Sequence, residues 1–389
     1  MAPELQNNLA FFDEAHKAFR HLVRRFRKQE IEPHIEEWEA NKSFSPYIFS
    51  QMGQLGLLGT RYPEEYGGLG SDYFMSVVLM EELAYCSDGS LPLAVAVQTE
   101  MVIPLLLQLG TEEQRKSFLV PLIKGEKIGC LGVFERGNEQ DLASVQTTAT
   151  CDGKDWIIRG EKPFSINGAL ADFVMLWAAI SGKSENDGFA LFLVEKGTPG
   201  FVANRLGQAG MLASNTAQLV FEDCRIPADN LLADGRRALE VVTRVLHESR
   251  LILAVIAISA AEYIFEQALT HATQRVQFGH PIADFQVIAH YLAEMAARIE
   301  ATKQLNYVAA WKLARGENAL KEISMAKLAA GRVVNEVADK ALQIHGGYGL
   351  MKEYSVQRVW RDYRLYRVIV GSSDEALQAS IAKELGLVE

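Results

Sequence analysis

A cluster of glycines near the C-terminal end has the residue types of a phosphate-binding loop. Residues 343–349 read Gln-Ile-His-Gly-Gly-Tyr-Gly, which places Gly346, Gly347 and Gly349 within four positions. Glycine lets the backbone approach a phosphate or a ring closely, although such glycines more often end a helix and form a turn. No predicted strand precedes the segment, so it does not fit a dinucleotide-binding fingerprint.

A second segment with binding chemistry runs from Arg275 to Gln286. The arginine can offer a fork of donors to a pyrophosphate, and Phe278 can flank an adenine. The ordinary alternatives are a solvated surface charge and a core position. Gly279 and Pro281 indicate a turn between two long helices. Both segments therefore lie near the ends of predicted helices.

These segments belong to the last of three regions with different patterns. Residues 1–127 are predicted to be helical, with apolar residues three and four apart and a capping signal at Thr111 to Gln114. Residues 128–234 contain short β-rich runs between turns, which is typical of a small antiparallel barrel or sandwich. Residues 235–389 are helical again and predict a helical bundle. The fold class is therefore α+β, with helical, β and helical domains in that order.

The element boundaries follow from the periodicity. Strands are expected at 146–150, 156–159, 173–179, 189–194 and 218–221. The four long C-terminal helices are expected at 236–274, 284–315, 318–344 and 372–385.

Composition and charge exclude several functional classes. The 389 residues are 49% hydrophobic and 23% charged, as in a soluble globular protein, and the net charge of -10 disfavours nucleic acid or an anionic membrane as partner. The four cysteines lack CxxC spacing, and the eight histidines lack zinc-site spacing, so we expect reduced thiols and no metal. The N-terminus has no signal-peptide pattern, and the apolar run 251–261 is too short to span a bilayer. We therefore expect a cytoplasmic protein.

Several motifs in the right order make the chain similar to the acyl-CoA dehydrogenase superfamily over nearly its full length. The matching pieces are residues 66–70, 110–114, 142–147, 275–286, 343–349 and 361–362. The resemblance implies an FAD at the interface of a dimer or tetramer, with its adenosine and pyrophosphate end held by the neighbouring subunit. The positions that match this end are Arg275, Phe278, Gln286, Gln343, Gly346 and Gly347. Ser372 and Asp374 lie where the family contacts the same cofactor with Thr and Gln.

The family's catalytic base is missing from both of its usual positions. Members of the family use a Glu to remove the proton α to a thioester carbonyl, and that Glu must be ionised and close to the carbon. One position corresponds to Val370 and the other to Ser249, directly before Arg250. Glu248 is a candidate replacement, but one residue turns a helix by about 100°. The alternative is a surface carboxylate that pairs with Arg244.

The segments that match the family's flavin-facing strands also differ from it. Phe134 stands where the resemblance places a hydroxyl that hydrogen-bonds the flavin ring, and Phe164-Ser165-Ile166 stands for Trp-Ile-Thr. Ser165 is expected to compensate for Ile166 if the strand is bulged. Backbone N–H groups can serve the ring without these side chains, so FAD remains the expected cofactor.

Three functions remain open at this point. The first is FAD-dependent α,β-dehydrogenation or oxidation of an acyl thioester. The second is a flavin-dependent hydroxylation or monooxygenation on the same fold, which needs no Glu base. The third is thioester isomerisation or a catalytically silent paralogue. The acyl carrier is coenzyme A or a carrier protein, since Arg136, Glu139 and Gln140 replace the family's loop residues.

Overall fold

The computed structural model describes residues 11–137, 141–183 and 188–387. The N-terminal region is helical, as predicted. Its helices are α1 (Glu14–Phe26), α2 (Ile35–Asn41), α3 (Tyr47–Gln54), α4 (Tyr73–Ala84), α5 (Ser90–Val97), α6 (Ile103–Leu109), α7 (Glu112–Gln114) and α8 (Val120–Ile123). Short π-helical segments at 27–31, 98–102 and 115–119 continue α1 and join α5 to α6 and α7 to α8.

The predicted capping signal at Thr111 is confirmed. The Thr111 hydroxyl accepts a hydrogen bond from the Gln114 backbone N–H at 3.2 Å, and the Thr111 N–H donates to Gln114 Oε1 at 2.9 Å. This reciprocal pair satisfies two N–H groups that a helix start leaves free. The Gln114 amide also donates to the carbonyls of Asp229 and Leu231, which ties this helix to the next domain.

The middle region forms one eight-stranded sheet. Its strands are β1 (Gly129–Gly132), β2 (Thr148–Asp152), β3 (Asp155–Ser165), β4 (Phe173–Ile180), β5 (Phe189–Glu195), β6 (Phe201–Arg205), β7 (Ala217–Pro227) and β8 (Leu231–Asp234). The order is β6-β7-β3-β2-β4-β5-β8, with β1 beside β4. The purely antiparallel prediction is wrong, because β4 pairs in parallel with both β1 and β2. The prediction also missed β1, β6 and β8, which are short and lack a run of alternating apolar residues.

The C-terminal region is built on one very long helix. Its helices are α9 (Gly235–Gln274), α10 (Gln286–Ala314), α11 (Leu320–His345), α12 (Val356–Asp362) and α13 (Asp374–Glu384). The apolar run 251–261 lies in the middle of α9 and is buried against α11, α10 and α4. The four predicted long helices are confirmed to within two residues at each end, whereas α12 was not predicted.

Two helical segments are long and apolar enough to cross a membrane. They are Ser90–Leu109 and Gly235–Gln274, and 94% and 72% of their apolar windows are buried inside the structure. Core helices of this kind pass the same length and composition test.

Buried polar contacts hold the three regions together. The Asp362 carboxylate at the end of α12 accepts hydrogen bonds from the backbone N–H of Gly89 in the N-terminal region and of Met211 in the β region. Burial, with a smaller contribution from Asp88, raises the pKa of Asp362 to about 7. Tyr307 on α10 donates to Glu81 on α4 at 2.6 Å. These contacts fix the site residues of different regions relative to one another.

Candidate functional site

A sharp hairpin follows α9 and presents one predicted site residue to solvent. Strands β9 (Val276–Gln277) and β10 (His280–Pro281) pair around the two residues Phe278 and Gly279. Both turn residues have positive φ, 52° and 91°, as a type I′ turn requires. Phe278 is 90% exposed, although bulky residues rarely adopt this conformation. An exposed aromatic ring in a strained turn indicates a contact with something outside the chain.

Arg275 lies at the base of this hairpin and is available to a ligand. Its guanidinium carbon is 5.4 Å from the centre of the Tyr348 ring. Across the described ranges, no carboxylate lies within ion-pair distance of it. Gly346 has a φ of 58°, which favours glycine, and the space around Gly346 and Gly347 is open. The predicted loop and the predicted arginine are therefore neighbours.

Three helix ends meet at this place. The stacked rings of His271 and His345, 4.2 Å apart, join the last turns of α9 and α11. Gln286 is the first residue of α10, whose N-terminus carries free N–H groups and a partial positive charge. The chain thus offers an arginine, a helix N-terminus, an open glycine backbone and an exposed ring, which fit the pyrophosphate and adenine of an FAD. The hairpin end is defined here as Arg275, Phe278, Gln286, Gln343, Gly346 and Gly347.

The predicted flavin-facing residues lie on and beside the sheet. Phe164 is 68% exposed, while Phe134 and Ile166 are half-buried. The register of β3 against β7 shifts between Lys162 and Ser165, so the bulge on which the Ser165 expectation depended is present. The Ser165 side chain is nevertheless buried, and it interacts with the buried thiol of Cys130.

A buried ion pair links β3 to the loop that follows β1. Lys162 Nζ lies 2.6 Å from Glu135 Oε1, and the Lys162 side chain is fully buried. Burial lowers the pKa of Lys162 to about 8, against the effect of Glu135. Glu135 also accepts hydrogen bonds from the backbone N–H groups of Gln146 and Thr147. No local pattern in the sequence indicates this pair, because a lysine in a β-run is normally assigned to the surface.

The two positions at which the family carries its catalytic Glu lie close together in the structure. Arg250 Nη2 donates to the Gly371 carbonyl at 3.1 Å, which brings Ser249-Arg250 of α9 against Val370-Gly371. Val370 is buried with a φ of 59°, and Ser249 donates its hydroxyl to the Leu246 carbonyl at 2.8 Å. Burial lowers the pKa of Arg250 to about 10. Neither position carries a carboxylate.

Glu248 points away from this meeting place. It is two residues, or about 200°, from Arg250 around the helix axis. Its carboxylate lies 4.0 Å from Arg244, the alternative partner considered from the sequence. Burial raises the pKa of Glu248, and Arg61 and Glu100 of the N-terminal region also act on it. Its role as a base stays a prediction, with the family's position at Ser249 on a different face.

Ser372 and Asp374 are engaged within the chain. Ser372 is buried and donates its hydroxyl to the Ile369 carbonyl. Asp374 pairs with Arg332 at 2.9 Å and with Arg367 at 2.5 Å. It also lines a cavity of about 580 Å³ between residues 208–211 and 361–375. The reaction end is defined here as Phe134, Phe164, Ser165, Ile166, Ser249, Arg250, Val370, Ser372 and Asp374.

The hairpin end and the reaction end of one chain are far apart. Arg250 and Arg275 are separated by 25 residues of α9, which corresponds to roughly 37 Å at about 1.5 Å per residue. The two ends therefore lie at well-separated places along one helix.

The expectations about metal binding and about the state of the cysteines also bear on the chemistry of the site. Within the described ranges, no group of three or more His, Cys, Asp or Glu residues could hold a metal ion. The four cysteines are free thiols, and Cys86, Cys130 and Cys224 are buried. Arg136 is exposed, whereas Glu139 and Gln140, which entered the carrier question, lie outside the described residues.

Three family models match the chain in consecutive blocks. They are described as the acyl-CoA dehydrogenase N-terminal domain (residues 13–126), middle domain (130–224) and C-terminal domain (237–386). The long-chain specific acyl-CoA dehydrogenase of Sus scrofa mitochondria is 36% identical over 379 residues, covering 96% of this chain and 87% of that protein.

Solved structures agree with this chain over nearly its full length. An acyl-CoA dehydrogenase from Geobacillus kaustophilus superimposes with a TM-score of 0.93 at 33% identity, covering 97% of this chain and all of that one. A glutaryl-CoA dehydrogenase from Mycobacterium smegmatis, solved with FADH2, gives 0.91 at 28% identity, covering 98% and 97%. The prolyl acyl carrier protein oxidase AnaB gives 0.89 at 28% identity, covering 97% and 100%.

Proposed function

The chain belongs to the acyl-CoA dehydrogenase family, and on that premise we propose that it oxidises the α,β-bond of an acyl-CoA with an FAD shared between two copies. The protein is an FAD-dependent oxidoreductase that acts on CH–CH groups of acyl thioesters. When bound, the FAD accepts a hydride from the β-carbon. The residues of this chain bind the FAD and the acyl-CoA and remove the α-proton.

The length of α9 carries the proposal of a shared cofactor. The hairpin end and the reaction end lie roughly 37 Å apart along that helix. In the proposed assembly, Arg275 and the N-terminus of α10 of one copy hold the pyrophosphate, and Phe278 flanks the adenine. The sheet around Phe134, Phe164 and Ile166 of the other copy faces the flavin ring. Each site then needs two copies, as in a symmetric dimer or a tetramer of two such dimers.

The meeting of α9 with the loop at Val370 is the proposed position of the thioester. Arg250 fixes this loop by its hydrogen bond to the Gly371 carbonyl. Its guanidinium is buried, and its Nε has no hydrogen-bond partner across the described ranges. A buried donor of this kind suits a polar atom of a bound ligand.

Coenzyme A is the proposed carrier, and the cytoplasm the proposed compartment. The curated relative is named for acyl-CoA substrates, and its identity covers nearly the whole chain. A carrier protein is the competing possibility, because AnaB shares the fold and is named for that carrier. Anaerobic flavin reduction by each kind of thioester decides whether coenzyme A or a carrier protein delivers the acyl group.

The test is anaerobic reduction of the purified, FAD-loaded protein by acyl-CoA thioesters of increasing chain length. We expect the flavin absorbance to bleach with at least one acyl-CoA, and free CoA serves as the control. Bleaching by an acyl carrier protein alone would contradict the carrier assignment. A protein that binds FAD and is bleached by neither thioester would contradict the proposed function.

Flavin-dependent oxygenation is a second candidate, favoured by one observation. Val370 occupies the base position, and an oxygenating enzyme does not need a base there. We expect no oxygen consumption beyond flavin reoxidation when reduced flavin is supplied with a substrate. Product carrying an oxygen atom from O2 would establish this alternative instead.

A further inference from the structure

We propose that the ion pair Arg61–Glu100 selects acyl chains that carry a neutral hydrogen-bonding group, such as a hydroxyl or a carboxamide. The assignment rests on the proposed function and names the substrate class of the same site. Arg61 Nη2 lies 2.8 Å from Glu100 Oε2, and the two side chains are 24% and 3% exposed. Replacing a pair so withdrawn from water by apolar residues is often neutral or stabilising, so stability alone does not account for it.

Glu100 lies in a stretch of the N-terminal region that is otherwise free of charge. Residues 90–109 form α5, a π-helical turn at 98–102 and α6, and Glu100 is their one charged side chain. Of the apolar window in this stretch, 94% is buried. Glu100 belongs to the π turn, an irregularity that helices often carry at functional sites. The Tyr62 hydroxyl donates to the Thr99 carbonyl and so holds this turn next to Arg61.

The pair leaves one acceptor and one donor unused. Glu100 Oε1 and Arg61 Nε are both buried, and neither has a hydrogen-bond partner within the part of the chain that the structure describes. A buried polar atom without a partner costs stability, and native proteins seldom contain one without a further reason. An unused acceptor beside an unused donor suits a ligand group that both donates and accepts.

The charges around the pair favour a neutral ligand group over an ionised one. A carboxylate on the acyl chain would meet Glu100, and an ammonium would meet Arg61, so each would face a like charge. The guanidinium carbon of Arg61 also lies 5.1 Å and 5.3 Å from the ring centres of Tyr62 and Tyr73. A hydroxyl or a carboxamide supplies a donor and an acceptor without a net charge.

Contacts between α9 and α6 place Glu248 on the side of the pair. Arg244 Nη2 donates to Gln108 Oε1, which identifies the face of α9 that lies against α6. Glu248 follows Arg244 by four residues and therefore shares that face. Burial raises the pKa of Glu248, and the charges of Arg61 and Glu100 also act on its carboxylate. The pair and Glu248 are thus neighbours across the boundary between the two helical regions.

The same turn of α9 carries the proposed position of the thioester. Ser249 lies about 100° around the helix both from Glu248 and from Arg250, which contacts the loop at Val370. The face of Ser249 therefore lies between that loop and the ion pair. In the proposed complex the thioester lies at Ser249 and Val370, and the acyl chain runs past Ser249 to the ion pair.

Matched thioesters test the selection. The FAD-loaded protein is reduced anaerobically by alkanoyl-CoA thioesters and by the ω-hydroxy and ω-carbamoyl derivative of each chain length. We expect the best polar derivative to exceed its alkanoyl partner by at least about 10-fold in the second-order rate constant of flavin reduction, the size of a hydrogen bond to a charged group. If neither polar derivative is favoured at any chain length, the inference is wrong.

A double substitution should remove the selection and keep the fold. Arg61→Met combined with Glu100→Leu replaces the pair by apolar side chains of similar size, and we expect the variant to retain its FAD and to lose the preference for polar chains. The matched control is Glu262→Leu with Lys303→Met, which removes another largely buried pair, 2.6 Å long, between α9 and α10. The control should keep the wild-type preference. An unchanged preference in Arg61→Met/Glu100→Leu would overturn the assignment.

Binding of unreactive analogues separates this inference from the proposed oxidation. Alkyl and ω-hydroxyalkyl thioethers of CoA lack the carbonyl that acidifies the α-proton, so calorimetry measures their binding without turnover. We expect the ω-hydroxyalkyl thioether of the preferred length to bind at least about 10-fold more tightly than its alkyl partner. Equal affinities at every chain length would contradict the selection. Preferential binding together with no flavin bleaching by any thioester would support the polar subsite and contradict the proposed function.

Discussion

The hairpin end and the reaction end differ in whether their residues are exposed or buried within their own chain. Arg275, Phe278 and Gly347 are exposed and have few partners in their own chain. Arg250 and Val370 are buried and held by the packing of α9 against a loop of the same chain. The hairpin end is therefore an exposed surface that another molecule can cover. The reaction end is held in place by packing within its own chain. Substitutions should therefore affect ligand binding at one end and folding or chemistry at the other.

The largest effect on folding is expected where the reaction end is supported by a buried charge. Lys162→Met removes the cation beside Glu135, whose carboxylate is buried. Breaking a buried pair on one side typically costs about 3–5 kcal/mol. Chemical denaturation should show that loss in the free energy of unfolding. The matched control is Lys183→Met, which breaks the exposed pair with Asp234 and should cost less than about 1 kcal/mol.

A pH effect of the next size is expected at His247. Burial, followed by the charge of Arg250, lowers the folded pKa to about 4 from the ordinary value of 6.5, so the unfolded chain binds more protons between these values. Stability is therefore lost as the pH falls from 6.5 to 4, by about 2–3 kcal/mol from this residue. Over that window the free energy of unfolding of wild type should fall by this amount relative to that of His247→Gln. An unchanged difference between the two proteins would show that the ring is solvated in the folded state.

At the hairpin end, Arg275→Ala should weaken FAD binding without harming the fold. Loss of charge-assisted hydrogen bonds to a pyrophosphate is expected to raise the Kd by about 10²-fold. The apo-protein should unfold within about 0.5 kcal/mol of wild type, because Arg275 makes no ion pair across the described ranges. Fluorescence titration of FAD measures the first quantity. Arg236→Ala, also at an exposed arginine of the C-terminal region, should change neither.

The smallest effect separates stability from binding at one residue. Asparagine tolerates the positive φ of Phe278 better than phenylalanine does. Phe278→Asn should raise the free energy of unfolding of the apo-protein by about 0.5–1 kcal/mol. The same change removes the ring proposed to flank the adenine, so FAD should bind several-fold more weakly. A variant that is less stable and binds FAD normally would assign the ring to packing.

The sequence predicts the hairpin end better than the reaction end, for physical reasons. Arg275, Gly346 and Gly347 act through local geometry, such as a turn, a helix end or a positive φ, and these leave residue-type signals. The four long helices were predicted for the same reason, because a period of 3.6 is local. The meeting of α9, α10 and α11 at one end then follows from antiparallel packing.

The reaction end depends on contacts between distant segments, which leave no local signal. The hydrogen bond from Arg250 to Gly371 spans 121 residues, and the pair Lys162–Glu135 joins β3 to the loop after β1. The parallel pairing of β1 and β2 with β4 was also invisible to a pattern of alternation. Glu248 is adjacent to Ser249 in sequence, yet one residue turns a helix by about 100°, which places the Glu248 side chain on another face.

The central claim is that one site is built from two copies, and mixed oligomers test it most directly. Arg275→Ala damages the hairpin end, and Arg250→Met damages the reaction end. Arg250→Met should fold, because burial already disfavours its charge. At an FAD concentration that saturates wild type but lies below the raised Kd of Arg275→Ala, each variant alone should be inactive towards acyl-CoA. Random mixing gives half mixed dimers, each with one intact site of two, so co-expression should recover about a quarter of wild-type activity. No recovery from oligomers shown by mass spectrometry to contain both copies would contradict the shared site.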